Sequence, residues 1–182
     1  MGGKFYCVMG LFDQKTNRHF KKLEDSLRQK GYEPAELPPH LTLGIYVGLD
    51  EKKLLTWVDE FSKKHEAPEL YFNHIGVFGT NICYAAPRVD KKLLLFHEKL
   101  HEKYDDFSGD EGYLYSIRSK EWVPHATLAM GEPEIIKPLI PHLCEEFKPF
   151  MGKMTQLAVC EFTPMREIGF FDLKGHYNRK VV

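Results

Sequence analysis

The chain has 182 residues, 43% hydrophobic and 28% charged, with a formal net charge of −1 at pH 7. These values sit near globular averages and exclude general disorder, and the length suits one domain, or one domain built from two halves, that can bury a sizeable core. A charge so near zero also excludes a protein that coats long stretches of nucleic acid through many phosphate contacts, while leaving room for a local site that takes one terminal phosphate.

Phe5 to Phe12 is rich in aromatic and β-compatible residues and reads as a buried strand, stopping at Asp13, a residue suited to cap the helix after it. The apolar run that begins after Met1-Gly2-Gly3-Lys4 is broken by Asp13, Lys15 and Arg18 with no small-residue cleavage site after it. No segment approaches the roughly 20 apolar residues needed to span a bilayer. A cytoplasmic location and no membrane partner are therefore expected.

From Thr16 to Lys30 the period is helical, with Phe20, Leu23 and Leu27 inside and Lys21, Lys22, Arg28 and Lys30 as a solvated face, and Gly31 ends it. Pro34, Pro38 and Pro39 hold the chain extended before a strand from His40 to Val47. Strict alternation would put His40, Thr42, Gly44 and Tyr46 on one face and Leu41, Leu43, Ile45 and Val47 on the core face. A helix from Asp50, with Leu54, Leu55, Val58 and Phe61 inside, closes at Ala67-Pro68. A hairpin comes next, Leu70 to Phe78 and Ile82 to Ala86 around Gly79-Thr80-Asn81.

Helical spacing returns from Asp90 to Tyr104 through Leu93, Phe96 and Leu100. Asp105 to Gly112 reads as a polar loop, Tyr113 to Arg118 as a short strand, and Pro124 to Met130 as a longer one. A helix from about Glu134 to Phe147, interrupted by Pro138 and Pro141, and strands Met154 to Phe162 and Glu167 to Leu173 complete the chain. Cys7, Cys83, Cys144 and Cys160 show no framework spacing and are expected as buried free thiols in a reducing compartment, with no disulfide.

Two stretches repeat one pattern. Pro39-His40-Leu41-Thr42-Leu43 and Pro124-His125-Ala126-Thr127-Leu128 both read Pro-His-x-Thr-Leu, and each lies in the same order of strand, helix, His-Thr strand, helix, strand. A lone His-x-Thr most often reports an ordinary strand, but two in matching pentapeptides imply an internal duplication whose halves face each other across a cleft. Residues two apart on a strand lie about 6.6 Å apart along it and point the same way, so each His/Thr pair can reach one bound group. Imidazole, with an ordinary pKa of about 6.5, lets one ring act as a base while the other acts as an acid at phosphorus. That scheme requires no metal and no cofactor.

On these residues the chain resembles the two-histidine (2H) phosphoesterases, in the branch similar to bacterial LigT-like 2′-5′ RNA ligases and RNA 2′,3′-cyclic phosphodiesterases. The likeness covers nearly the whole chain and includes Phe5 to Phe12, Val77-Phe78-Gly79 with Ile82 to Pro87, the Leu93 to Leu100 helix, and Trp122-Val123 before the second motif. It implies an α+β fold over residues 1–182, a single domain of two pseudo-symmetric lobes around a central cleft, each an antiparallel sheet with helices on its outer face. It also implies a monomeric hydrolase that opens 2′,3′-cyclic phosphates of RNA ends or nucleotides to 2′-phosphates, or cleaves or forms 2′-5′ phosphodiester bonds. His40 and His125 would be the acid/base pair, and Thr42 and Thr127 would hold the phosphate. Arg118 and Trp122 are candidates for phosphate and base contacts, with Tyr46 and Tyr115 as further substrate-binding candidates.

Two other readings compete. A nucleotide- or RNA-end-binding module would keep the cleft without turnover. His97-Glu98-Lys99-Leu100-His101 matches the H-E-x-x-H signature of zinc proteases, with Glu121 at a plausible distance for a third ligand. Against zinc, Glu121 falls in a loop or strand entry rather than on a second helix, so His97 and His101 are expected as surface histidines. His19, His65, His74, His142 and His176 have no partners at ligand spacing, and Arg179-Lys180 is expected to fray.

Overall fold

A computed structural model of the chain describes residues 5–162 and 164–175. Met1-Gly2-Gly3-Lys4, His176 and Arg179-Lys180, read above from the sequence, lie outside the described residues. Among the described residues the elements in order are β1 (Phe5–Phe12), α1 (Gln14–Gln29), β2 (His40–Val47), α2 (Glu51–Lys64), β3 (Glu69–Phe78), β4 (Ile82–Pro87), α3 (Lys91–His101), β5 (Ala126–Met130), α4 (Pro133–Glu146), β6 (Phe150–Phe162) and β7 (Arg166–Asp172).

Three helices start on an aspartate whose carboxylate takes an otherwise orphaned backbone N–H: Asp13 from Thr16, Asp50 from Lys53 and Asp90 from Leu93. Their apolar stripes, including Phe20 and Leu27, Val58 and Phe61, and Leu93 and Leu100, are almost wholly buried in one core with Ile136, Leu139 and Leu143 of α4. Each large side chain so buried contributes about 1.5 to 3 kcal/mol. Pro138 and Pro141 lie inside α4 on its exposed side, where water can take the carbonyls left without an N–H partner, so the helix continues through both.

All strand pairs are antiparallel, in the order β2-β1-β6-β3-β4-β5, with β7 also on β6. The 13-residue β6 is shared: its start, Phe150 to Lys153, pairs with β3, and Met154 to Phe162 pairs with β1. One lobe is therefore β2, β1, the end of β6 and β7, and the other is β5, β4, β3 and the start of β6. The third strand of each repeated half pairs with the first strand of the other half. β1 is buried on both faces, with Val8 and Phe12 in the helix-side core and Cys7 and Met9 in a smaller cluster with Ala158 and Cys160.

Three expectations need correction. Tyr113 to Arg118 is not a strand: Tyr113–Tyr115 is a single 3-10 turn, and local bonds from Tyr115 N–H to Gly112 O (2.9 Å) and from Ser116 N–H to Tyr113 O (3.0 Å) take the groups a ladder would need. The third helix stops at His101, three residues short of Tyr104. Cys144 is exposed, unlike the other three cysteines. No helix among the described residues is long and apolar enough to cross a membrane.

Candidate active site

The two motifs occupy β2 and the entry to β5, the two ends of the strand order. In each, the histidine lies one residue after a proline and its Nδ1 lies 2.7 Å from the carbonyl oxygen two residues back, Pro38 for His40 and Val123 for His125. A carbonyl can only accept, so Nδ1 carries the proton and Nε2 keeps its lone pair. Both rings are thus held in one tautomer by the same local device, with Nε2 left for chemistry.

A second device repeats. In β2, Val8 pairs with Gly44 and Met9 with Thr42, leaving Leu43 as an extra residue; in β5, Cys83 pairs with Ala129 and Tyr84 with Thr127, leaving Leu128 extra. The leucine of each Pro-His-x-Thr-Leu is a β-bulge, which re-aims the residues around it. The bulge in β2 also reverses the facing of the residues after Leu43. Gly44 and Tyr46 turn into the core, and Ile45 and Val47 turn out. Tyr46, expected beside His40 and Thr42, is fully buried, its hydroxyl without a hydrogen-bond partner among the described residues.

The segment leading into each motif bonds to the strand of the other. Ala35 N–H donates to Leu128 O (3.0 Å), and Trp122 Nε1–H donates to Thr42 O (3.1 Å). A cavity of about 620 Å³ has both His40 and Thr127 in its wall, bringing the first histidine and the second threonine to one space. Burial lowers the pKa of His40 below the ordinary imidazole value, its bond to Pro38 partly offsets this, and a charge on His125 lowers it further. Burial likewise lowers that of His125, offset by the bond to Val123. The electrostatic influence of His125 on His40 means that a proton on one ring discourages a proton on the other, the condition for an acid and a base working side by side.

Around this pair, Tyr115 reaches the Thr42 side chain with its hydroxyl, and burial raises its pKa. Cys7 lies by the same threonine, its thiol pushed up to about 12, chiefly by burial and then by Cys160 opposite it. Phe78 stands edge-on to His125 at 4.8 Å between ring centres, and Tyr84 lies 5.2 Å from it. Gly76 makes room for Tyr84, since a Cβ there would lie 2.3 Å from the ring. Cys7, Phe78 and Tyr84 were not singled out from sequence. Cys7 and Tyr84 sit in apolar strands and Phe78 ends a strand of mixed composition, so alternation does not mark the face that looks toward the site.

Arg118 and Trp122 both have partners within the protein. Arg118 lies 3.2 Å from Asp105 and 3.1 Å from Asp106, and bonds to Ser108 and Ser116, so its guanidinium organises the loop before the second motif. Trp122 stacks on His97 with ring centres 3.8 Å apart and 5° between planes while donating to Thr42 O.

His97 and His101 are not on the surface; they are 4% and 1% exposed, on the buried stripe of α3. His101 Nε2 lies 2.7 Å from Leu43 O and its Nδ1 lies 2.8 Å from Asp105 Oδ1, so both nitrogens face oxygens of the protein. Gly44 lets that ring come close, since a Cβ there would lie 3.1 Å from it. Burial, then the proximity of His101, lowers the pKa of His97 to about 3. Glu98 and Glu121 are exposed, and among the described residues no group of three His, Cys, Asp or Glu side chains is arranged to hold a metal ion. The H-E-x-x-H match is a brace behind the first motif. Of the other histidines, His142 pairs with Ser26 (2.7 Å), His65 Nδ1 with Phe61 O (2.9 Å) and His74 with Asn73 (2.9 Å), while His19 stacks on Phe150.

A family model described as the 2′-5′ RNA ligase superfamily matches residues 12–163, a span that takes in both motifs. The chain belongs to that superfamily. Solved structures with the same fold include TT0787 of Thermus thermophilus, at 18% identity and a TM-score of 0.61 over 96% of this chain and 99% of that one. LigT of E. coli in complex with NADP+ aligns at 11% identity and a TM-score of 0.60 over 95% and 99%. A protein described as a phosphoesterase aligns at 12% identity and a TM-score of 0.58 over 93% and 98%. No curated protein sequence matches the chain. The superfamily's two-histidine phosphoesterase character fits the paired motifs, and the mixed α/β fold with its antiparallel seven-stranded sheet agrees with these neighbours.

Proposed function

We propose that this superfamily member is a phosphodiesterase, a single bilobal domain that opens 2′,3′-cyclic phosphates of ribonucleotides or RNA ends to 2′-phosphates, or acts on 2′-5′ phosphodiester bonds. The observation that carries the reading is the matched pair of histidines, each with Nδ1 tied to the carbonyl two residues back and Nε2 unclaimed among the described residues, on strands bonded to each other's approach segments. With a phosphate between them, one neutral ring takes a proton from water as the water attacks phosphorus. The other, protonated, gives its proton to the ribose oxygen that leaves. The hydroxyls of Thr42 and Thr127 donate to the non-bridging oxygens, where charge builds up. The reaction needs no metal or cofactor.

Structures of LigT, similar in fold, are described as complexes with NADP+, ATP, 3′-AMP and phosphate, which supports a nucleotide phosphate as the ligand. The test is product analysis. Phosphorus NMR of a nucleoside 2′,3′-cyclic phosphate incubated with the protein in EDTA should show the cyclic resonance replaced by that of the 2′-phosphate. Tight nucleotide binding with no turnover across cyclic and 2′-5′ substrates would instead make the cleft a recognition module.

A further inference from the structure

We propose that the cavity beside His40 and Thr127 is a nucleobase subsite, which seats the base of the nucleotide whose phosphate lies between the two histidines. The inference rests on the phosphodiesterase reading only for the position of that phosphate. The large apolar side chains of Leu37, Met130, Phe162 and Met165 line the cavity together with the site residues. Met130 is 62% exposed and Met165 is 44% exposed. Large apolar side chains left open to water are individually unremarkable, but here they gather in one concave wall adjoining a polar catalytic pair, the composition of a small-molecule pocket.

The chemistry of the wall selects the occupant. Thioether sulfur is polarizable and packs well on aromatic faces, and a flexible methionine adjusts to rings of different size. Phe162 is half-buried, with one ring face stacked on Phe5 at 5.5 Å and 6° between planes, so a base laid on its other side would extend an existing stack. The remaining wall carries Glu33 and Glu36. Two carboxylates repel a second phosphate and accept hydrogen bonds from base N–H groups, so the cavity favours the neutral, donor-bearing end of a nucleotide over a continuing phosphate backbone. The cavity touches the site at His40 and Thr127, one residue from each motif, and so opens toward the phosphate rather than away from it.

The cavity is tested by calorimetric titration of the intact protein with adenosine and guanosine 2′-phosphates against inorganic phosphate. The nucleotides should bind about 10- to 100-fold more tightly, the contribution of one stacked base. In a Met130→Ser, Met165→Ser double variant that ratio should fall toward 1. Nucleotides that bind no tighter than phosphate, or a ratio that survives in the folded double variant, overturn the subsite. Because the readout is equilibrium binding, it is independent of turnover. Tight nucleotide binding without hydrolysis of any cyclic phosphate removes the enzyme reading and keeps the subsite, and hydrolysis with no preference for a base does the reverse.

Discussion

His40 and His125 are each held below the ordinary imidazole range, in both cases chiefly by burial, and each is tied through Nδ1 to a carbonyl. The form of the free enzyme that can work is the one with a single proton on the pair, and that form peaks between two pKa values that both lie below about 6.5. The pH profile of kcat/KM should therefore be bell-shaped with its maximum on the acidic side of 6.5. The profile of kcat should lie higher, because the negative charge of the bound phosphodiester favours the protonated ring. A kcat/KM maximum at or above pH 7 would contradict the assignment of these two groups. His40, Thr42, His125 and Thr127 could be found from residue type alone, since Pro-His-x-Thr-Leu occurs twice and carries a histidine and a hydroxyl each time. Tyr46 was misplaced because alternation carries no mark of the bulge at Leu43, whose extra residue becomes visible only when β2 is paired with β1.

At the scale of elements, the two motifs are supported by unlike partners. The second motif's carbonyl at Leu128 is taken by backbone, Ala35 N–H, whereas the first motif's carbonyls at Thr42 and Leu43 are taken by side chains, Trp122 and His101. Trp122 links the halves directly, since it leads into the second motif and bonds to the first. Trp122→Phe keeps the ring on His97 and removes the N–H. It should cost about 1 to 2 kcal/mol of stability, a buried acceptor having lost its donor. Displacement of Thr42 should lower kcat by about 10- to 100-fold with a smaller change in KM. Thermal melts and steady-state kinetics read the two effects separately, and wild-type kcat in a folded variant would show that the bond does not position the site. The sequence pointed the other way here, placing His97 and His101 at the surface beside the Leu93, Phe96 and Leu100 stripe. Burial of His97 and His101 against β2 depends on which face α3 turns inward, and Phe96 and Leu100 alone leave that angle open by about one residue.

Across the whole molecule the duplication is more than a repeated order of elements. β6 pairs with β1 and β3 pairs with β4, so each half lends its third strand to the other, and the sheet is continuous through β6. That exchange gives a physical reason for two His-Thr strands to be held in fixed relation, since neither lobe completes its sheet alone. The order of the seven strands and the approximate bounds of α1, α2 and α4 were legible from period and caps, but β6 was read from Met154, short of the Phe150 to Lys153 stretch that pairs with β3. The strand exchange was not, because pairing partners leave no trace in a single apolar run. The Asp105 to Lys120 region escaped for another reason: its order comes from side chains converging on Asp105, including Ser116 and Arg118, and polar composition alone reads as loop.

The central claim is that His40 and His125 act on one phosphate. It is tested most directly by kcat/KM on a nucleoside 2′,3′-cyclic phosphate, in EDTA, for His40→Ala, His125→Ala and the double variant. Each single change should lower the rate by about 10²- to 10⁴-fold. The double variant should fall by much less than the product of the two, because groups that act as a unit are not additive. Near wild-type activity in either single variant, or losses that multiply in full, would contradict a shared site.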